Sequence, residues 1–205
     1  MLFELHCHST HSDGKATPKG IVEYAKKIGL TGIAVTDHDD IKGGLEAVKY
    51  APEGLTVISG MEVSSQDGHI LGINIRKSVP RDLTAEETVE LIHAMGGLAI
   101  AAHPYDRRRD GVGDLILSVP FDAVEVVNGH TFGSSRDPMK VCEEARIPMV
   151  GGSDAHTLPE IGLVTVEYEG DILSAIRSGR TRIKSKPVVQ LMLNHGIGII
   201  KRKLL

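Results

Sequence analysis

Two hydrophobic periods alternate along this chain. Short β-branched or apolar runs at residues 3–8, 32–36, 55–59, 69–75, 98–102, 123–127, 149–152 and 163–166 read as strands. Helical spacing appears between most of them, at residues 17–28, 41–50, 84–96, 138–145 and 171–178. Thr17-Pro18 offers an N-cap followed by a first-turn proline, and Thr84-Ala85-Glu86-Glu87 spells a capping box. No helical pattern separates the run at 55–59 from the run at 69–75. Repeats, low-complexity tracts and linker-like stretches are missing, so residues 1–205 read as one domain of α/β class with mostly parallel strands.

Seven or eight strands in so short a chain suggest a small or distorted barrel, with an open doubly wound sheet as the alternative. The polar residues choose between them. His6 and His8, Asp37-His38, Glu62, His103, Glu125, Asp154 and His156 all stand where an apolar run stops. Strand ends converge on one face of a barrel but spread along a line in an open sheet, which favours the barrel.

Composition narrows the function. Ten histidines stand against seven aromatic residues and no Trp. Histidine is the commonest metal ligand, and so few aromatic rings leave little for a base-stacking surface. A net charge of −4 argues against a general nucleic-acid or membrane binder. The apolar run at 99–102 is far too short for a bilayer, and Met1 leads directly into Leu2-Phe3-Glu4-Leu5 without a charged leader. Two cysteines, Cys7 and Cys142, make no disulfide framework, so a cytoplasmic protein is expected. Residues 176–205 carry eight Lys or Arg and no acid, whereas the preceding 175 residues hold 15 basic and 27 acidic side chains. That segment reads as a solvated basic tail, with attraction of a phosphorylated ligand or RNA as the alternative.

The chemistry lies in six short pieces. In His6-Cys7-His8, strand alternation points both imidazoles into one space and Cys7 to the other side. Ser12-Asp13-Gly14 follows in a turn, and in Thr36-Asp37-His38-Asp39 two acids flank a histidine just beyond a strand. Gly60-Met61-Glu62 precedes His69, Ala102-His103-Pro104 closes an apolar strand, and Ser153-Asp154-Ala155-His156 places Asp154 and His156 on one face. Singly, each piece has an ordinary structural explanation. Together they form a His/carboxylate set without thiolate, suited to Mn, Fe, Zn or Mg. A Glu amid such a set can bridge two ions, the layout of two-metal hydrolysis.

The stretches His6-Cys7-His8-Ser9-Thr10-His11-Ser12-Asp13-Gly14, Thr36-Asp37-His38, Gly60-Met61-Glu62, Ala102-His103-Pro104 and Ser153-Asp154-Ala155-His156 resemble, in order, the motifs of the PHP (polymerase and histidinol phosphatase) superfamily. The resemblance implies a distorted seven-stranded (β/α) barrel with up to three divalent metal ions at the C-terminal face of its strands. By that resemblance His6, His8, Glu62 and Asp154 would hold the first ion. Glu62 would bridge to a second on His69 and His103, and Asp13, His38 and His156 would hold the third. It further implies a metal-dependent phosphoesterase in which water shared by the two bridged ions is acidified and attacks phosphorus.

Substrate contacts are sought elsewhere. Arg107-Arg108-Arg109 follows the His103 strand, and guanidinium forks suit phosphate; Arg107 is the one singled out. His11 is a further acid or pocket residue, and Asn128 and His130 are expected to line the pocket. The resemblance also implies that longer relatives acting on nucleoside phosphates carry a helical insertion, for which residues 76–97 leave no room. Small phosphomonoesters are the expected substrates. Phosphodiester or exonuclease action on short single-stranded nucleic acid is the alternative, and a non-catalytic binding module the alternative of another class.

Overall fold

The computed structural model describes residues 1–106, 108–131 and 133–187. Its nine strands form one continuous sheet: β1 (Leu2–Glu4), β2 (Gly32–Val35), β3 (Thr56–Ser64), β4 (His69–Ile73), β5 (Leu98–Ala101), β6 (Ala123–Asn128), β7 (Met149–Gly152), β8 (Val164–Glu167) and β9 (Arg182–Ser185). The order across the sheet is β7-β6-β5-β4-β3-β2-β1-β8-β9. A bridge between Cys7 and Ala155 then brings the chain beyond β1 against the chain beyond β7, with His8 N–H donating to Ala155 O at 2.8 Å. The result is a nearly closed, barrel-like sheet.

Among the described residues nine strands stand where seven were expected. The additional edge strand β9 is polar and exposed, so no apolar alternation betrays it; Arg182 and Lys184 lie beside Glu167 of β8. Regular pairing of the first strand covers Leu2–Glu4 alone, and beyond Leu5 the chain continues with the single bridge at Cys7. The third strand runs on to Ser64, because Gly60–Ser64 pairs antiparallel with β4 in a hairpin. That hairpin explains the missing helix between the two runs. Strands β1, β2, β3, β5, β6 and β7 share one direction, while β4 and β8 run against it.

Helices α1 (Pro18–Lys27), α2 (Lys42–Lys49), α3 (Ala85–Ala94), α4 (Pro138–Ala145) and α5 (Ile172–Arg177) follow the sequence signals. Thr17 caps α1 by accepting from Gly20 N–H, and Thr84 with Glu87 completes the capping box of α3. Both faces of the sheet are covered. Leu98 and Ile100 of β5 join Phe3, Leu5, Leu71 and Ile73 in one apolar cluster, while Ala99 and Ala101 join a second with Val89 and Ile92 of α3. A third cluster packs Cys7, Ile33 and Val35 against Ile21, Val22 and Ala25 of α1, so Cys7 does face away from its flanking histidines. Among the described residues, no helix is long and apolar enough to cross a membrane.

Candidate metal centre

One rim of the barrel gathers the polar strand exits. His6 and His8 follow β1, His38 follows β2, and Glu62 lies inside β3, joined to His38 by an isolated bridge. His69 arrives differently. It opens the reversed strand β4 opposite Ser64, so its N-terminal end meets the C-terminal ends of the others. His103 and Asp154 follow β5 and β7 with left-handed backbones, φ 30° and 52°. Such φ values are uncommon outside glycine and persist where the surroundings enforce them, often at functional sites. Asp13 sits in a turn held by Asp37, whose carboxylate accepts from Ser9 N–H at 2.6 Å, Ser9 Oγ at 2.8 Å and Ser12 Oγ at 2.8 Å. At Gly152 any Cβ would fall 2.5 Å from the Cβ of His6 and from Glu125 Oε1, so only glycine lets β7 approach this closely.

Glu62, 1% exposed, is the hub. Its Oε2 lies 3.0 Å from His6 Nε2, 3.3 Å from His8 Nε2 and 3.4 Å from His38 Nδ1. Its Oε1 lies 2.9 Å from His69 Nδ1 and 3.2 Å from His103 Nε2. Around this hub, His8 Nε2 meets Asp154 Oδ1 at 3.1 Å and His156 Nε2 meets Asp13 Oδ2 at 3.0 Å. The imidazoles crowd one another, with ring centres of His8 4.6 Å from His38 and 4.4 Å from His156.

These donors fit divalent cations. The ligand atoms of His6, His8, Glu62 and Asp154 lie within 4.8 Å of one another, as do those of His8, Asp13, His38 and His156, and those of His38, Glu62 and His69. The buried Nδ1 of His8 has no hydrogen-bond partner and faces Asp13 Oδ1 across 3.8 Å. That gap is too wide for a hydrogen bond. His8 and His38 each belong to two of these groups, so the side chains form one connected field.

Charge within the field is strongly coupled. Burial opposes a charge on His6, but the carboxylates of Asp154, Glu125 and Glu62 lift its pKa well above the usual imidazole range. His8, also opposed by burial, is raised to about 9 by hydrogen bonds to Asp154 and Glu62. Burial alone would raise Glu62, yet His6 and hydrogen bonds from His103, His6 and His69 hold it well below the carboxylate range. Asp154 is likewise held low against burial, chiefly by His6, His8 and Arg109. In such a site a proton and a cation compete for the same imidazole nitrogens.

A further layer orients the rim. Glu125 Oε1 pairs with His6 Nδ1 at 3.0 Å, and its Oε2 accepts from His103 N–H at 3.0 Å. Asn128 donates to both Glu125 Oε2 and Asp154 Oδ2, at 2.9 and 3.2 Å. Glu160 accepts from the backbone N–H groups of His156 and Thr157, and lies 3.7 Å from His130. Partners of this kind fix ring orientation and ligand basicity. A cavity of about 210 Å³ opens over the rim, lined by Asp13, His38, Glu62, His69, His103, Arg109, His130, Asp154 and His156.

The structure therefore brings together His6, His8, Asp13, His38, Glu62, His69, His103, Asp154 and His156. It does not bring in His11, whose Nε2 lies 2.8 Å from Glu46 of α2 and outside the cavity lining; the turn at residues 9–14 directs Asp13 to the rim instead. Arg107 lies outside the described residues, as do residues 188–205 of the basic tail. Arg109 of the same triplet reaches the cavity, and Asn128 and His130 stand beside it. Glu160 escaped the sequence reading although Thr157-Leu158-Pro159-Glu160 spells a capping box directly after His156.

Comparison with known proteins agrees with this geometry. The model of the PHP domain family matches residues 4–156, and a model described as PHP-associated matches residues 138–181. The chain is 37% identical over 142 residues to an uncharacterized protein of Methanocaldococcus jannaschii, covering 63% of this chain and 83% of that one. It is 42% identical over 84 residues to a 5'-3' exoribonuclease of Haemophilus influenzae, covering 38% of this chain and 31% of the relative. This chain thus matches less than a third of the exoribonuclease's length. Among solved structures, a two-domain protein from Bacteroides vulgatus containing a predicted PHP-like metal-dependent phosphoesterase superposes with a TM-score of 0.76. The identity is 18%, over 97% of this chain and 69% of the other, so the likeness is one of fold.

Proposed function

The chain belongs to the PHP domain family, and on that premise we propose a metal-dependent phosphoesterase that prefers small phosphomonoesters. The observation that carries the reading is Glu62: one carboxylate in contact with five imidazoles, with Asp154 and Asp13 at either side. Divalent ions on such donors neutralise phosphate charge and make water acidic enough to serve as nucleophile near neutral pH. The protein's own part is holding and orienting. His6, His8, Glu62 and Asp154 would hold one ion, His69 and His103 with Glu62 a second, and Asp13, His38 and His156 a third.

Glu125 and Asn128 keep His6, His103 and Asp154 aimed at the rim, so the ligands meet a cation without reorganising. Glu62 remains ionised throughout the neutral range, since its pKa lies far below it. His130 lines the cavity beside His156, with Glu160 3.7 Å away, and would turn toward the oxygens of a bound ester. A cavity of about 210 Å³ suits a phosphoryl group with a small leaving group.

A second reading, hydrolysis of phosphodiesters in short single-stranded nucleic acid, draws support from the exoribonuclease relative. Against it, the described lining of the cavity holds no Phe, Tyr or Trp on which a base would stack. A non-catalytic module would have little use for so full a ligand set. One experiment separates the three. Metal analysis of the purified protein is combined with a panel of phosphomonoesters and phosphodiesters, before and after chelation and after Mn, Zn, Fe or Mg is restored. The proposal expects bound metal, monoester turnover lost on chelation, and recovery with added metal. Faster diester turnover would establish the second reading, and bound metal without any turnover the third. Full activity in protein shown to be metal-free would overturn the mechanism.

A further inference from the structure

We propose that Arg109 grips a non-bridging oxygen of the substrate's phosphoryl group, with Asp106 and Thr131 as the residues that position it. This rests on the reading of the rim as a phosphoesterase centre and names the side chain that recognises the phosphoryl group there.

Arg108 is exposed, while Arg109 turns inward to the cavity with its side chain 25% exposed. The guanidinium is built in on one side. Its Nε and Nη2 donate to Asp106 Oδ2 at 3.2 and 3.0 Å, and Nη2 also donates to Asn128 Oδ1 at 3.0 Å and Thr131 Oγ1 at 2.9 Å. Thr131 Oγ1 in turn donates to Asp106 Oδ2 at 2.9 Å, which closes the cradle. On the other side Nη1 donates to Asp154 Oδ2, while Asp154 Oδ1 faces His8.

A guanidinium has five N–H groups. Nε spends its one, the two on Nη2 are shared among three acceptors, and Nη1 has two but, among the described residues, a single acceptor, Asp154. One Nη1 hydrogen therefore remains for a ligand, beside the oxygen of a rim carboxylate. A guanidinium in this state is already immobilised and partly desolvated, so little freedom is lost when an anion arrives. Among the described residues lining the cavity, Arg109 is also the only Lys or Arg. The cavity would otherwise meet a phosphate dianion with imidazoles and carboxylates alone.

The test compares Arg109→Ala, Arg109→Lys and Asp106→Asn with wild type, and uses Arg108→Ala as a surface control. Three quantities are read on metal-loaded protein: bound metal by elemental analysis, inorganic phosphate affinity by calorimetry, and KM and kcat for p-nitrophenyl phosphate. A charge-assisted hydrogen bond of ordinary strength predicts a ten- to hundredfold loss of phosphate affinity in Arg109→Ala. KM should rise in parallel, metal content should hold, and added guanidinium ion should restore part of the loss. Arg109→Lys keeps the charge without the fork, so it should fold as wild type and fall in between. Asp106→Asn should weaken phosphate binding less than Arg109→Ala and narrow the gap between Arg and Lys at position 109. Arg108→Ala should match wild type.

Wild-type phosphate affinity in Arg109→Ala overturns the assignment, because the remaining N–H then has no role. So does loss of metal together with phosphate in both Arg109 variants, which would make the residue a support for Asp154. If instead wild type hydrolyses no phosphate ester and binds no phosphate, the phosphoesterase reading itself fails and takes this assignment with it.

Discussion

Glu62→Gln removes one charge from the centre of the rim while leaving its shape nearly unchanged. The carboxylate is 1% exposed and touches His6, His8, His38, His69 and His103 at 2.9–3.4 Å. A unit charge pair 4 Å apart is worth about 4 kcal/mol at an effective dielectric constant of about 20. A divalent ion doubles that to about 8 kcal/mol, and ion–ligand distances are shorter than 4 Å. Even if the amide dipole and local relaxation recover half, about 4 kcal/mol remains, or roughly a thousandfold in affinity. Because Glu62 faces two groups of ligands, the loss should strike two ions. The group on Asp13, His38 and His156 keeps its own carboxylate and should keep its metal. The amide fills the same volume and can still hydrogen-bond neutral imidazoles, so thermal unfolding should stay near that of wild type. We expect reduced occupancy at two positions in elemental analysis and turnover lower by several orders of magnitude at saturating substrate. A folded Glu62→Gln protein with full metal content and wild-type turnover would refute the placement of the catalytic centre.

Two further perturbations probe the scaffold. Cys7 is buried among Ile21, Ile33 and Ala155 with Sγ 3.2 Å from Ala34 O, and burial pushes its thiol well above the usual range; Cys7→Ala should therefore keep every metal and cost about 1 kcal/mol in denaturant unfolding. Loss of one metal equivalent without unfolding would show that Cys7 is a ligand. Glu4 is wholly buried, and burial raises its pKa to about 7 despite hydrogen bonds from Ser153, Gly162 and His6; a raised folded value means stability present below about pH 4.5 and lost as pH rises toward 7, by about 3 kcal/mol. The stability difference between wild type and Glu4→Gln should shift against wild type by that amount from pH 4.5 to 7.5, and parallel pH profiles would disprove it.

How the sequence shows this much, and no more, follows from which signals are local. His6 and His8 are legible because strand alternation is a two-residue rule, and Cys7 falls on the opposite side as that rule requires. Helices α1 and α3 announce themselves through Thr17-Pro18 and the Thr84–Glu87 box. Long-range pairing leaves no such mark. That Glu62 lies within a strand rather than at its exit depends on β4 folding back on β3, a contact between segments that each look alike from sequence. His11 shares a loop with Asp13 but reaches Glu46, because the turn closed by Ser9 and Asp37 decides which side chain turns inward. Arg109 enters the cavity held by Asp106 three residues before it, Asn128 at the end of β6 and Thr131 22 residues further on, partners that no local pattern links to it.

The reversed strand is what allows one carboxylate to serve so many imidazoles. A barrel of parallel strands brings only C-terminal strand ends to the catalytic rim. Had β4 run parallel to β3, His69 would stand at its far end, four residue steps or about 13 Å from the rim. The hairpin instead sets His69 opposite Ser64, with Glu62 two residues deeper in the same ladder, and His69 Nδ1 comes within 2.9 Å of Glu62 Oε1. The turn at residues 65–68 is correspondingly tight: Ser65 Oγ donates to Gly68 O at 2.5 Å, and Gly68 takes a φ of 140°. His69 N–H is also held by Asp110 O at 2.8 Å, just beyond Arg109. A one-residue slip in this hairpin would turn His69 to the opposite face of the sheet and take a ligand from Glu62. The short turn, the register of β3 with β4 and the loop carrying Arg109 are thus parts of one construction, and the sequence spacing from Glu62 to His69 is a consequence of it.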